Sequence, residues 1–398
     1  MSTASMRETT LSDVEIHGTC DPRFGPVRAA LATNLQAGAD IGSSAAVFLD
    51  GEPVVDIWGG YADEARTQPW ERDTIVNTFS TTKTMTALCA LILADRGELD
   101  LNAPIARYWP EFAAEGKGQV EVRHLLGHTS ALPGWTEPVT LSDILDREKA
   151  RTLLARQAPW WKPGTDAGYH AITFGPLIGE VIRRVTGKTL TDFFAEEVAG
   201  PLDADYHIGA GPECDARVSL MIQSSPIRKR DDSNAIPERV FFNPYVTPQD
   251  SGTIAWRRGE LGGSNGHGNA RSVAAVQSVL ACGGEARGVR LMSTAGCERV
   301  FEQQAEGVDF VIGYPVRWGM GYALASPSIT AMYGPQLEGR RIACWGGSGG
   351  SFVINDLDAR MTVAFVMNKH VESNDTDHRS VDVVRAAYEC LLGEPIRP

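Results

Sequence analysis

Apolar residues follow two rhythms along this chain. Near the N-terminus, Ala45-Ala46-Val47-Phe48-Leu49 and Pro53-Val54-Val55-Asp56-Ile57-Trp58 are β-type runs separated by Asp50-Gly51. Asp-Gly tolerates positive φ, so the pair predicts a hairpin with a primed turn. Residues 1–20 carry no comparable run and read as a loose arm leading into a helix near residues 25–35. Further on, residues 88–94 are unbroken apolar and end in Asp95-Arg96-Gly97. This predicts a buried helix with Thr81 or Thr82 as N-cap and Gly97 as the C′ glycine.

The middle of the chain loses the strand rhythm. Residues 99–109 read as a turn and a short helix, and residues 122–130 as another short helix stopped by Pro133-Gly134. Lys162-Pro163-Gly164-Thr165 is a turn that leads through Tyr169 into an amphipathic helix. Pro176 sits in its first turn, Leu177, Ile178, Val181, Ile182 and Val185 form its apolar face, and Gly187 ends it. Residues 222–266 are irregular, with Pro226, Pro237, Pro244 and Pro248 spaced around Phe241, Phe242 and Tyr245. A long ordered loop of this kind commonly walls a cleft. A helix at residues 270–281 closes the section.

Towards the C-terminus the strand rhythm returns at residues 318–322, 342–345, 351–355 and 361–368, with a hairpin connection at 356–360 and a last helix at 380–392. Strands at both ends with helices between predict an α/β (α+β) architecture. One sheet domain is drawn from residues 1–95 and 310–398, with a mainly helical region, residues 96–309, inserted between.

Composition narrows the class. The 398 residues are 43% hydrophobic and 22% charged, as in a globular protein with a sizeable core. The longest apolar run, residues 87–94, is far too short to cross a bilayer, and the first residues lack a signal-peptide layout. Seven scattered cysteines without C-x-x-C argue against a disulfide framework and for a reducing, cytoplasmic setting. The formal charge is −13, and the one basic run, Arg228-Lys229-Arg230, is cancelled by Asp231-Asp232. Nucleic acid and anionic membrane are therefore excluded as partners, a small molecule is expected instead, and the oligomeric state is left open.

Chemistry concentrates at the start of the buried helix. Ser80 and Lys83 are three residues apart, so their side chains share one face. A serine hydroxyl needs an adjacent base, and a lysine serves when burial pushes its pKa down. Only seven of the 37 basic residues are lysine, and Lys83 alone has a serine three positions earlier. Two other serines match the G-x-S-x-G nucleophile elbow: Ser264 in Gly262–Gly266 and Ser348 in Gly346–Gly350. An elbow needs a strand before it and a helix after it. Ser264 lacks the strand and Ser348 lacks the helix, although Asp356 or Asp358 and then His370 follow Ser348 in triad order. His124 and His128 have the spacing of a metal pair, but the H-E-x-x-H glutamate and a third ligand are missing, so no metal and no cofactor is expected.

Taken together, Ser80-Thr81-Thr82-Lys83, His124-Leu125-Leu126-Gly127-His128-Thr129-Ser130, Pro163-Gly164-Thr165 through Tyr169 to Gly187, and Trp345-Gly346-Gly347 resemble the serine β-lactamase and penicillin-binding-protein superfamily. The best match is its esterase branch, the family VIII carboxylesterases, which Asn265-Gly266-His267-Gly268-Asn269-Ala270-Arg271 also resembles. The resemblance implies an antiparallel sheet flanked by helices. It implies Ser80 as the acylated nucleophile, with Lys83 and Tyr169 as the acid/base pair and the division of labour between them open. It implies a phenol whose pKa is lowered by the neighbouring ammonium, and an oxyanion hole made by the N–H groups of Ser80 and Ser348. Trp345, Gly346 and Gly347 would line the substrate strand, with Phe241, Phe242 and Tyr245 opposite.

The departures from that pattern bear on substrate. Ala171 replaces an asparagine suited to an acyl-amide, and Trp345 replaces a lysine suited to a carboxylate. The expectation is a hydrolase of neutral short-to-medium acyl esters. The alternatives are an amidase, β-lactamase or acyltransferase on the same residues, or a non-catalytic binding module.

Overall fold

Asp50 and Gly51 take φ of +53° and +83°, the two left-handed positions that a type I′ turn needs. They join β2 (Gly42–Leu49) to β3 (Glu52–Gly60). The computed structural model describes residues 14–224, 235–371 and 377–393. Most of the N-terminal arm, Pro226 and the Arg228–Arg230 run fall outside the described residues.

One nine-stranded antiparallel sheet dominates. Its members are β1 (Ile16–Cys20), β2, β3, β4 (Ala305–Val308), β5 (Pro315–Trp318), β6 (Ala323–Leu324), β7 (Ile342–Gly346), β8 (Phe352–Asp356) and β9 (Met361–Met367). Their order is β1-β3-β2-β9-β8-β7-β6-β5-β4. The two ends of the chain meet where β9 pairs antiparallel with β2, from Met361 opposite Leu49 to Met367 opposite Ser43. Both central strands are buried almost throughout, because helices cover both faces. Helices Gly25–Gln36 and Arg379–Leu392 pack together on one face. Helix Ala270–Ala281 lies on the other, against β2, β8 and β9, and touches helix Thr82–Asp95 behind it.

Helix Thr82–Asp95 is buried from Thr82 through Leu93, on every side of its circumference. It ends at Arg96, with Gly97 in the left-handed conformation at φ +74°. Its outer neighbour is helix Phe174–Thr186, stopped by left-handed Gly187.

Two stretches depart from the sequence expectation. Ile16–Cys20 is not part of a loose arm but an edge strand paired with β3, its middle residues exposed. Residues 318–322 are not one strand. Trp318 ends β5, Gly321 turns the chain at φ +85°, and β6 begins at Ala323. The alternation of aromatic residues and glycines there imitates a strand, but it is a turn closed by the Gly319 N–H donating to Tyr322 O.

Candidate active site

Phe79, just before Ser80, holds φ at +43°, a strained value for a bulky side chain and of the kind that accumulates at functional sites. The threonines after Ser80 do not cap the helix as expected. The Thr81 hydroxyl pairs with Ser351 Oγ at 2.9 Å. Thr82 Oγ1 donates back to Phe79 O and accepts from the Gly266 N–H. These bonds tie the helix start to the β7–β8 turn on one side and to the 262–268 segment on the other.

Lys83 is buried, one turn beyond Ser80. Its Nζ lies 2.8 Å from both Ala171 O and Gly263 O and 3.2 Å from Ser80 Oγ. Among the described residues no carboxylate pairs with it, and burial pushes its pKa well below the usual lysine range. A neutral amine has two N–H bonds and one lone pair. In that form, which burial favours, the two carbonyls would take the N–H bonds and the lone pair would face the Ser80 hydroxyl.

Tyr169 stands opposite, in a loop without regular structure whose shape is fixed by distant acceptors. The Gly168 N–H donates to His128 O, the Tyr169 N–H to Asp309 Oδ1 and the His170 N–H to His128 Nδ1. The phenol lies near enough to Ser80 for the serine to lower its pKa, and it accepts a hydrogen bond from the Trp345 indole at 3.0 Å. Trp318 lies parallel to the tyrosine ring, centroids 5.9 Å apart, and packs on Trp345 at 4.6 Å. Lys83 Nζ sits over the ring face, 4.7 Å from its centroid.

One expectation is reversed here. The phenol was expected to be acidified by a neighbouring ammonium. Burial instead raises its pKa above the usual range, more than Ser80 and the Trp345 bond lower it. The same burial that disfavours the ammonium also disfavours the phenolate.

Gly347 brings the β7 end against the nucleophile. A Cβ on it would lie 2.1 Å from Thr78 O and 3.1 Å from Ser80 N, so only glycine fits. Among the described residues, neither the Ser80 N–H nor the Ser348 N–H meets a hydrogen-bond acceptor. Ser348 occupies the turn between β7 and β8, so the strand-to-helix elbow is absent there. Its hydroxyl does pair with His370 Nε2 at 2.9 Å, but among the described residues His370 Nδ1 has no partner. Asp356 is engaged by Arg340 and Tyr388, and Asp358 by Arg341, so no triad forms. Ser264 lies in the cleft, follows no strand, and donates to Ala171 O at 3.4 Å.

A cleft of about 800 Å³ opens over Ser80, lined by Tyr169, Trp345, Gly346, Gly347 and Ser348. Phe241 and Tyr245 form part of the facing wall. Phe242 does not line it; its ring stacks on Tyr245 at 4.8 Å and supports it. Other parts of the wall were not anticipated: Trp256 from helix Ile254–Arg258, and Ile312 to Val316 from the end of the β4–β5 loop and the start of β5. Trp256 had a sequence signal, an aromatic residue inside the irregular segment. Asp309 and Trp318 had none, since their contacts span the chain. No lysine or arginine lines the cleft among the described residues.

The histidine pair does not form a metal site. Helix Val122–Leu126 stops at Gly127, and His128 turns left-handed at φ +59°, which removes the shared helical face. His124 Nδ1 accepts the Glu121 N–H, while His128 is buried against His170, Nδ1 to Nδ1 3.1 Å.

Comparison with known proteins agrees with this fold. The Beta-lactamase family model matches residues 27–386. Esterase/beta-lactamase LipL of Mycobacterium tuberculosis is 38% identical over 290 residues, 70% of this chain and 67% of that protein. Esterase EstB of Burkholderia gladioli is 32% identical over 232 residues, 51% of this chain and 58% of that protein. The crystal structure of a family VIII carboxylesterase superposes with a TM-score of 0.88 at 40% identity, covering 94% of this chain and 100% of the other. A penicillin-binding protein homologue from Caulobacter crescentus gives 0.88 at 34% identity, with coverage of 94% and 100%. With the antiparallel sheet, the buried helix and the Ser80-to-Lys83 geometry in place, a family match over residues 27–386 shows that this chain belongs to the beta-lactamase family.

Proposed function

We propose that the protein is a serine esterase that hydrolyses neutral carboxylic esters through an acyl-enzyme on Ser80. The observation that carries this reading is the Lys83 amine, buried and held by two carbonyls at 2.8 Å with its third direction on Ser80 Oγ. Lys83 takes the hydroxyl proton as Oγ bonds to the ester carbonyl carbon. The N–H groups of Ser80 and Ser348 receive the oxyanion. Tyr169, which keeps its proton at neutral pH, gives it to the departing alkoxide as the C–O bond breaks. The phenolate recovers a proton from the Lys83 ammonium, so the net transfer is from Ser80 to the alcohol. Water then repeats the sequence on the acyl-enzyme.

The choice of ester is supported by Trp345, a neutral donor where a cation would suit a carboxylate, and by the esterases among the relatives. The apolar walls of the cleft suit an acyl chain. All seven cysteines are free thiols, which supports a reducing cytoplasmic setting. Ser80→Ala should abolish hydrolysis of a short p-nitrophenyl ester, and near-wild-type activity in that variant would sink the mechanism. A β-lactamase activity on the same residues is the second reading, because LipL carries both names. Turnover of a chromogenic cephalosporin as fast as of the ester would favour it.

A further inference from the structure

Asp309 is wholly buried, and its carboxylate accepts four N–H groups. Oδ1 takes the backbone N–H of Tyr169 at 3.0 Å, of Val311 at 2.9 Å and of Ile312 at 3.1 Å. Oδ2 takes the Trp318 indole N–H at 3.1 Å. Asp309 thus joins the distant Tyr169 loop to two parts of its own neighbourhood: the cleft wall at Ile312 and the tryptophan stacked on the tyrosine ring. The link to Tyr169 bridges 140 residues of sequence. A second bond, from the Phe310 N–H to Ala167 O, fastens the same two segments.

We propose that Asp309 is the positioning residue of the acid/base phenol, holding Tyr169 by its backbone and by Trp318 so that its hydroxyl stays on the leaving-group side of Ser80. This rests on the serine-esterase reading above. The Tyr169 loop has no helix or strand of its own, so its backbone position depends on these acceptors. The carboxylate has a second effect. Its charge adds, after burial, to the forces that keep the phenol protonated, which is the form that donates. Asparagine has the same shape but only one acceptor oxygen. If that oxygen serves the three backbone N–H groups, its amide N–H₂ faces the Trp318 indole N–H, donor against donor.

The test uses leaving groups. p-Nitrophenolate departs without a proton and ethoxide needs one, so ethyl and p-nitrophenyl esters of the same acid separate proton donation from every other requirement. With kcat/KM reporting acylation alone, Asp309→Asn should lose on the order of tenfold or more on the ethyl ester beyond its loss on the p-nitrophenyl ester. Tyr169→Phe should show the same selectivity, larger. Equal losses on both esters in folded Asp309→Asn overturn the proposal while leaving the esterase reading intact, provided Tyr169→Phe is selective. If Tyr169→Phe is itself unselective, the acid role of Tyr169 fails and the proposal falls with it. Should Asp309→Asn not fold, Trp318→Phe decides: it keeps the stacked ring and removes the indole donor, so a smaller loss of the same selectivity is expected and equal losses refute.

Discussion

Lys83→Met removes the amine and keeps much of the side-chain volume, and it separates two consequences of burial. The catalytic one is large. Loss of a general base typically costs about 10²–10⁴ in rate, or about 3–5.5 kcal/mol of transition-state stabilisation. The stability effect has opposing parts. Gly263 O and Ala171 O each lose a donor at 2.8 Å; Ala171 O keeps the Ser264 hydroxyl at 3.4 Å, and a buried unsatisfied acceptor such as Gly263 O costs about 1–3 kcal/mol. Against this, burial holds the folded-state pKa of Lys83 well below the ordinary 10.5, so folding releases the lysine's proton wherever the pH lies between the two values. Between the folded and unfolded pKa values the unfolded chain binds one more proton, so wild-type stability rises with pH, by about 1.4 kcal/mol per unit. Lys83→Met lacks that slope. Denaturant unfolding of both proteins at roughly pH 7 and 9, with kcat/KM on a p-nitrophenyl ester, measures both effects. Activity within tenfold of wild type would refute Lys83 as the base. Parallel stability curves would refute the neutral buried amine.

Two further substitutions probe the oxyanion strand. Gly347→Ala places a methyl 2.1 Å from Thr78 O, so β7 must move away from Ser80; Tm should fall through this overpacking and kcat of the folded variant should fall on the order of a hundredfold or more, whereas an unchanged kcat would argue against an oxyanion site there. Ser348→Ala keeps the backbone N–H and loses only the bond to His370; kcat/KM should stay within about threefold, whereas abolished activity would mark Ser348 as a nucleophile.

Much of the scaffold was legible because its signals are local. The Asp50-Gly51 turn, the apolar run behind Ser80 and the capped helix Ala270–Ala281 each depend on neighbours in sequence. Ser80 and Lys83 were found together for the same reason, since one helical turn joins them. Tyr169 and Trp345 were reachable only through the family resemblance, because nothing near either residue in sequence shows that their side chains meet at 3.0 Å. The acidity expected for Tyr169 failed on a collective property: burial acts on the phenol and on the lysine meant to acidify it. The edge strand Ile16–Cys20 was missed because only Ile16 is buried, which leaves little apolar pattern to read. His124 and His128 looked like a pair until the left-handed His128 turned them apart.

The central claim is that Ser80 is a nucleophile activated by Lys83. A fluorophosphonate leaves a stable adduct on an activated serine, and intact-mass analysis with peptide mapping locates it. The account predicts one adduct, on Ser80, that disappears in Lys83→Met while the variant remains folded. An adduct on Ser264 or Ser348, or none on folded wild-type protein, would contradict it.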